Sequence, residues 1–91
     1  MARFTTRVEL HDAASGDYTK LHAEMKKQGF KQTITDPKGN ELNLPTAEYN
    51  YIGDRTKHQV LEAAKLAANS VKKSFGILVT ESAGRTWHNL L

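Results

Sequence analysis

The spacing of apolar residues alternates twice between a period of two and a period of three to four along this 91-residue chain. A period of two is typical of a half-buried strand, and apolar positions three and four apart are typical of a helix. The strand patterns cover residues 4–11, 30–35, 42–52 and 75–81, and the third is interrupted at Pro45. Helical patterns lie between the first and second strands and between the third and fourth. The predicted order is therefore strand, helix, strand, strand, helix, strand.

Residues that favour helix ends flank both helical patterns. Ser15 or Asp17 is predicted to cap the start of the first helix, because both side chains accept hydrogen bonds from free backbone amides. Gly29 is predicted to end that helix. Thr56 and Gln59 form a T-x-x-Q capping box, which predicts the start of the second helix.

This order of elements limits the topology. With right-handed crossovers it gives a four-stranded antiparallel sheet with both helices on one face. That is the ferredoxin-like βαββαβ fold, an α+β architecture. A chain of this length makes one domain, so residues 1–91 are predicted as a single ferredoxin-like domain in which residues 82–91 form a C-terminal tail.

Composition excludes several classes of protein. The absence of cysteine excludes disulfides, thiolate zinc sites and cysteine nucleophiles, and is consistent with a reducing compartment. The four histidines lack the spacing of a helical metal site. No apolar run approaches the roughly 18 residues of a membrane span, and no secretory signal pattern is visible. The chain is therefore predicted to be cytoplasmic, without zinc and without a membrane partner.

Positive charge is concentrated in the C-terminal part of the chain. The net charge is +3, and residues 55–91 carry six Lys or Arg against two Asp or Glu. A basic region of this kind is compatible with a polyanionic partner. Tyr49 and Tyr51 share one face of the third strand, where they could stack on bases, but alternation favours a place in the core beneath the helices.

The end of the first strand combines residues that have chemical uses. Arg7, Glu9 and His11 alternate along the strand and share a face, and Asp12 follows directly. A guanidinium can hold a phosphate, an imidazole can move a proton near neutral pH, and a carboxylate can orient the imidazole or bind a cation. These groups fit phosphodiester cleavage. They also fit an ordinary solvent-facing strand with alternating charges, so both interpretations stay open.

The C-terminal segment contains the sole tryptophan. Trp87 is predicted to fold back over one end of the sheet and complete a small core, with Arg85 extending to solvent beside it. The alternative is a docking surface for a partner, built from the same two residues.

The element order, the segment RFTTRVELHDA at residues 3–13 and the segment LPTAEYN at residues 44–50 together resemble the GhoS family. These proteins are small bacterial antitoxins of type V toxin–antitoxin systems. They are ferredoxin-like endoribonucleases that cleave the messenger RNA of a membrane toxin. The resemblance extends over roughly residues 3 to 82 and implies RNA as the partner.

The resemblance also implies site residues for this hydrolase activity. The predicted catalytic residues are Arg7, His11 and Asp12. Asp12 stands where the CRISPR-associated nuclease, related in fold, keeps a metal-binding aspartate. Because the surrounding strand lacks that relative's tyrosines, no cofactor is predicted, although a divalent cation at Asp12 stays open. Three basic residues are predicted to bind RNA: Lys26, Lys27 and Arg85.

Without a metal, the 2′-hydroxyl of RNA is the expected nucleophile, with His11 as base and Arg7 stabilising charge on the phosphate. With a metal, Asp12 residues from two subunits would activate water instead. A rival hypothesis is a non-catalytic module that pairs edge strands, either with a partner or as a homodimer. A homodimer is also expected for the nuclease. A third hypothesis is a small-ligand regulatory domain, which a ligand would stabilise against melting.

Overall fold

A computed structural model of the chain describes residues 2–90. Met1 and Leu91, the ends of the predicted domain, lie outside the described residues. The elements, in chain order, are β1 (Ala2–Leu10), α1 (Asp17–Lys27), β2 (Thr33–Thr35), β3 (Glu41–Asn43), β4 (Glu48–Gly53), α2 (Lys57–Asn69) and β5 (Phe75–Glu81). The predicted mixture of antiparallel strands and two helices is confirmed.

The predicted single four-stranded sheet is wrong. Three antiparallel strands form a sheet in the order β4-β1-β5, and β2 and β3 form a separate two-stranded hairpin. One bridge joins them, in which Lys31 and Asn50 exchange backbone hydrogen bonds of 2.8 and 2.7 Å. The predicted third strand is split at Pro45, between β3 and β4. Proline has no N–H to donate to a ladder, so strand pairing does not continue through it.

Helix α2 begins as predicted, whereas α1 does not. The Thr56 hydroxyl accepts a hydrogen bond from the Gln59 amide at 3.2 Å, and the Gln59 side chain accepts one from the Thr56 amide at 2.9 Å. In α1 the capping position is occupied by Gly16 at φ 87°, and no side chain caps the helix. The prediction of Ser15 or Asp17 as the cap is therefore wrong.

One face of the three-stranded sheet is covered by both helices and holds the core. Helix α2 packs on β1 and β5, and α1 packs on α2. The strand register places side chains of all three strands on this side, which we call the covered face, and six of those from β1 and β4 hold its centre. They are Phe4, Thr6, Val8, Leu10, Tyr49 and Tyr51. All but Tyr51, which is half-buried, are buried.

The opposite face carries no helix, and we call it the helix-free face. Its side chains, by the same register, are Arg3, Thr5, Arg7, Glu9, Glu48, Asn50, Ile52, Leu78 and Thr80. Residues 82–90 cross part of this face as a tail. The Ser82 amide donates to the Arg3 carbonyl at 2.8 Å, which joins the start of the tail to β1. Arg7 and Leu78 stay exposed beside the tail.

Candidate functional site

His11 lies in the turn that follows β1 and is held there by two neighbours. Its amide donates to the Ser74 carbonyl at 3.0 Å, just before β5 begins. Its side-chain Nδ1 lies 2.8 Å from Ser74 Oγ, and its Nε2 lies 3.7 Å from Glu9 Oε1. The Nε2 atom also lies above Gly76, where a Cβ would be 3.9 Å away. The imidazole is thus oriented between a hydroxyl and a carboxylate on the helix-free face.

These contacts suit a group that exchanges protons. When Nδ1–H donates to Ser74, Nε2 keeps a lone pair that can accept a proton. The carboxylate of Glu9 faces the same Nε2 atom. About half of the His11 side chain, 48%, is exposed, so a large substrate can reach it. Ser74 was missed by the sequence analysis, since it lies 63 positions from His11.

Asp12 is exposed in the same turn, with a positive φ of 54°. Aspartate tolerates this left-handed conformation better than most residues. Within residues 2–90 its carboxylate forms no hydrogen bond or ion pair, so His11 contacts Glu9 and Ser74 rather than Asp12. No group of three or more His, Asp or Glu side chains in this part of the chain is arranged to hold a metal ion. One chain therefore offers a cation at Asp12 too few ligands.

Arg7 lies in the middle of the helix-free face. Its neighbours across the strands are Glu48 on β4 and Leu78 on β5. The side chain is exposed, and within the described part of the chain it forms no ion pair, even with Glu48. Its guanidinium is therefore available to an anion from solution.

Arg85 is held by the tail against the same face. Its Nη1 donates to Asn50 Oδ1 at 2.8 Å, and the side chain is half-buried. Burial, and secondarily the positive charge of Arg3, lower the pKa of Arg85 from its usual value. Arginine stays charged even so. Two arginines therefore lie close together, and neither has an acidic partner among residues 2–90. Arg3 was missed, although it precedes Arg7 by the same four residues that separate Arg7 from His11.

Lys26 and Lys27 lie apart from this group. They form the last turn of α1, on the side of the sheet that the helices cover. The adjacent Gly29 approaches Tyr51 on β4, which pairs with Phe4 near the start of β1. The two lysines are thus at the opposite end of β1 from His11. Lys27 also binds Glu24 at 2.8 Å, and this contact lowers the pKa of the Glu24 carboxyl.

Two sequence-based predictions about aromatic residues have opposite outcomes. Tyr49 is fully buried, as predicted, and its hydroxyl lies 2.6 Å from Nδ1 of His22. Burial lowers the pKa of His22 and, with a smaller effect of Tyr18, raises the pKa of Tyr49. The prediction that Trp87 completes the core is wrong, because 39% of this residue is exposed and it lies outside the cluster of buried core residues.

Over residues 1–88, the sequence of the chain matches the family described as endoribonuclease GhoS. The chain belongs to the GhoS family. The match includes every helix and strand, the His11 turn and the tail as far as His88, and it confirms the resemblance seen in the sequence. No curated protein sequence matches the chain. Within residues 2–90, neither helix is long and apolar enough to cross a membrane.

Proposed function

We propose that this chain is a cytoplasmic antitoxin endoribonuclease that cleaves a toxin messenger RNA on its helix-free face. One observation carries the proposal. Arg3, Arg7 and His11 recur every four residues on one side of β1 and the turn after it. Neither arginine has an acidic partner among residues 2–90, and the histidine is oriented by Ser74 and Glu9. Membership of the endoribonuclease GhoS family supports RNA as the substrate.

The line of residues has the length and charge of a binding track for a nucleic-acid strand. Four strand residues span about 13 Å, so Arg3 and His11 lie about 26 Å apart along β1. Contacts between arginine and phosphate supply most sequence-independent affinity for nucleic acids. Arg85, which Asn50 holds beside Arg3, adds a third positive charge at one end. Lys26 and Lys27 lie off this track and are at most accessory contacts to RNA.

In the proposed reaction, His11 Nε2 removes the proton from a 2′-hydroxyl of the RNA. The 2′-oxygen then attacks the adjacent phosphorus, and the bond from phosphorus to the 5′-oxygen breaks. The leaving oxygen takes a proton from water, which yields a 2′,3′-cyclic phosphate and a 5′-hydroxyl. Arg7 stabilises the negative charge on the phosphate oxygens. The carboxylate of Glu9 faces the Nε2 atom, and Asp12 supplies a second carboxylate at this end of the strand.

A metal ion has no part in this mechanism. Among residues 2–90 of one chain, no group of three or more His, Asp or Glu side chains could hold a metal ion. The alternative is a cation held between the Asp12 carboxylates of two subunits, where it would activate water. Cleavage through the 2′-hydroxyl is expected to continue in the presence of a chelator.

The test is incubation of the purified protein with labelled RNA and with DNA of matched sequence, with and without chelator. RNA is expected to be cut in both conditions, and DNA is expected to survive because it lacks the nucleophile. His11→Ala is expected to abolish cleavage without changing thermal stability, since its side chain is exposed. Asp12→Ala is also expected to abolish cleavage, with a small loss of stability because alanine tolerates the φ of 54° less well than aspartate. His58→Ala, an exposed histidine at the start of α2, is the matched control. Normal cleavage by His11→Ala would contradict the site, and intact RNA with the wild-type protein would contradict the function.

The edge of β5 favours a second, compatible role as a homodimer interface. β5 is an edge strand of the sheet, residues 75–80 carry no charge, and Leu78 is 64% exposed. An uncharged edge of this kind readily pairs with another strand. Sedimentation is expected to detect a dimer that Leu78→Lys dissociates. A wild-type protein that stays monomeric at all concentrations would contradict this role.

A further inference from the structure

We propose that Trp87 stacks on one base of single-stranded RNA, in a groove between the tail and the β2–β3 hairpin. The proposal rests on RNA as the substrate, but it assigns a binding site that is separate from the His11 turn. The tail thereby becomes part of the substrate-binding surface.

The groove has a volume of about 690 Å³. Its walls come from the start of β1, the tip of the hairpin and the tail, and include Arg3, Asp36, Glu81, Arg85 and Trp87. Trp87 also borders a second groove of about 480 Å³ that contains Thr5 of the helix-free face. Its indole therefore stands between two open spaces. A base that enters either groove can therefore reach the indole.

The indole is free to stack. Among residues 2–90 it makes no aromatic contact, cation–π contact or hydrogen bond. The other aromatic contacts of the described chain lie on the covered side, where Tyr49, Tyr51 and Phe30 pack together. Since 39% of Trp87 is exposed, part of the residue is open to contact with a flat ligand.

The charges of the groove fit a nucleotide better than a bare anion. Arg3 and Arg85 are suited to a phosphate, whereas the carboxylate of Asp36 would repel one. Asp36 accepts hydrogen bonds from the amides of Lys38 and Asn40 at 2.9 and 2.8 Å, and these bonds lower the pKa of its carboxyl and keep it ionised. Carboxylates accept hydrogen bonds from the amino groups of bases. A nucleotide offers all three complementary parts, namely a phosphate, an amino group and a stacking face.

We expect the Trp87 site to bind single-stranded RNA rather than a duplex. A base inside a duplex is already stacked on its neighbours, and only an unpaired base can offer its face to an indole. Arg3 begins the line that passes through Arg7 to His11, so the groove lies at the far end of the proposed RNA track. Trp87 therefore binds a nucleotide away from the cleaved bond, and its loss should weaken binding rather than slow the chemical step.

The sole tryptophan makes this site directly measurable. Titration with a short 2′-O-methyl RNA of mixed sequence, which has no free 2′-hydroxyl and cannot be cut, is expected to quench the Trp87 fluorescence in a saturable way. The same oligonucleotide annealed to its complement is expected to quench it little. Binding of the single strand without any fluorescence change, or equal quenching by the duplex, would overturn the proposal.

Variants separate stacking from folding and from catalysis. Trp87→Ala is expected to weaken binding of the 2′-O-methyl RNA about tenfold, as the loss of one base stack of about 1.4 kcal/mol predicts. Trp87→Phe should keep most of the affinity. Leu66→Ala, which removes a 66%-exposed apolar side chain from α2, should bind like the wild type. Full affinity in Trp87→Ala, or a loss that Trp87→Phe does not rescue, would overturn stacking.

The cleavage assay distinguishes failure of this inference from failure of the proposed function. Trp87→Ala is expected to raise KM for single-stranded RNA with kcat unchanged, whereas His11→Ala is expected to remove kcat. Unchanged KM in Trp87→Ala with cleavage intact would overturn the stacking site alone. Saturable quenching by a protein that cuts no RNA would support the stacking site and contradict the endoribonuclease.

Discussion

The two faces of the three-stranded sheet use neighbouring residues of the same strand for different purposes. Phe4 and Val8 of β1 are buried on the covered face, and Arg3 and Arg7 lie on the helix-free face. The first pair contributes to stability through burial of apolar area, and the second supplies charge where a substrate can reach it. Because alternate residues of a strand face opposite sides, one strand can supply core residues on one face and charged residues for binding on the other.

The two sides of the sheet also differ in whether their positive charges are paired with carboxylates. On the helices and the turn after α2, Lys27, Lys65 and Lys72 contact carboxylates at 2.8, 3.5 and 3.7 Å. On the helix-free face, the arginines form no ion pair among residues 2–90. Paired surface charges contribute little to stability, whereas unpaired surface charges remain able to attract an oppositely charged partner. The predictions below test whether this division between the two faces is real.

The largest expected effect is on cleavage. Arg7→Ala should lower RNA cleavage about 100-fold, the usual result of removing one group that stabilises charge in the transition state. Lys65→Ala, which removes an exposed and paired cation from α2, should leave cleavage unchanged. Both variants should unfold at the wild-type temperature. Equal activity of the two variants would mean that the unpaired charge of the helix-free face has no catalytic use.

On the covered face the large effect should be on stability. Tyr49→Ala should lower the free energy of unfolding by about 3–5 kcal/mol, as truncations of buried aromatic residues do. Ile52→Ala, on the helix-free side of the same strand and 52% exposed, should change it by less than about 0.5 kcal/mol. Chemical denaturation measures both. Similar losses in the two variants would contradict the assignment of the core to one face.

A smaller effect should follow from removal of one hydroxyl. Tyr49→Phe keeps the ring but takes away the partner of His22 Nδ1. Since His22 is only half-buried and water can replace part of the bond, we expect a loss of about 1 kcal/mol in the free energy of unfolding. The matched control is Tyr51→Phe, which removes a hydroxyl from a half-buried tyrosine two residues along β4. Greater stability of Tyr49→Phe than of the wild type would show that the hydrogen bond is not stabilising.

The smallest effect concerns pH. Burial lowers the pKa of His22 in the folded chain, so the unfolded chain binds more protons between that value and the ordinary value near 6.5. Stability should therefore fall as the pH drops below about 6.5. His22→Gln should reduce this slope, and His58→Gln, at an exposed position, should not. Equal slopes in the three proteins would contradict a role of His22 in the pH dependence of the covered face.

The amino-acid sequence by itself determined the features that depend on neighbours along the chain. Alternation in β1 sorted Arg7 from Val8, and the T-x-x-Q pattern predicted the start of α2. The element order and the segments at residues 3–13 and 44–50 indicated the GhoS family. Alternation in the third predicted strand likewise placed Tyr49 in the core. Each of these depends on interactions over a few residues, or on a pattern that burial of one face imposes directly.

The tertiary structure alone decided which distant groups meet. It brought Ser74 to the imidazole of His11 from 63 positions away and Arg85 to Asn50 from 35 positions away. It also placed the β2–β3 hairpin in a sheet of its own and left Trp87 outside the core. These outcomes depend on how the hairpin and the tail pack against the finished sheet. Such packing balances many weak contacts, and no local pattern of residues encodes that balance.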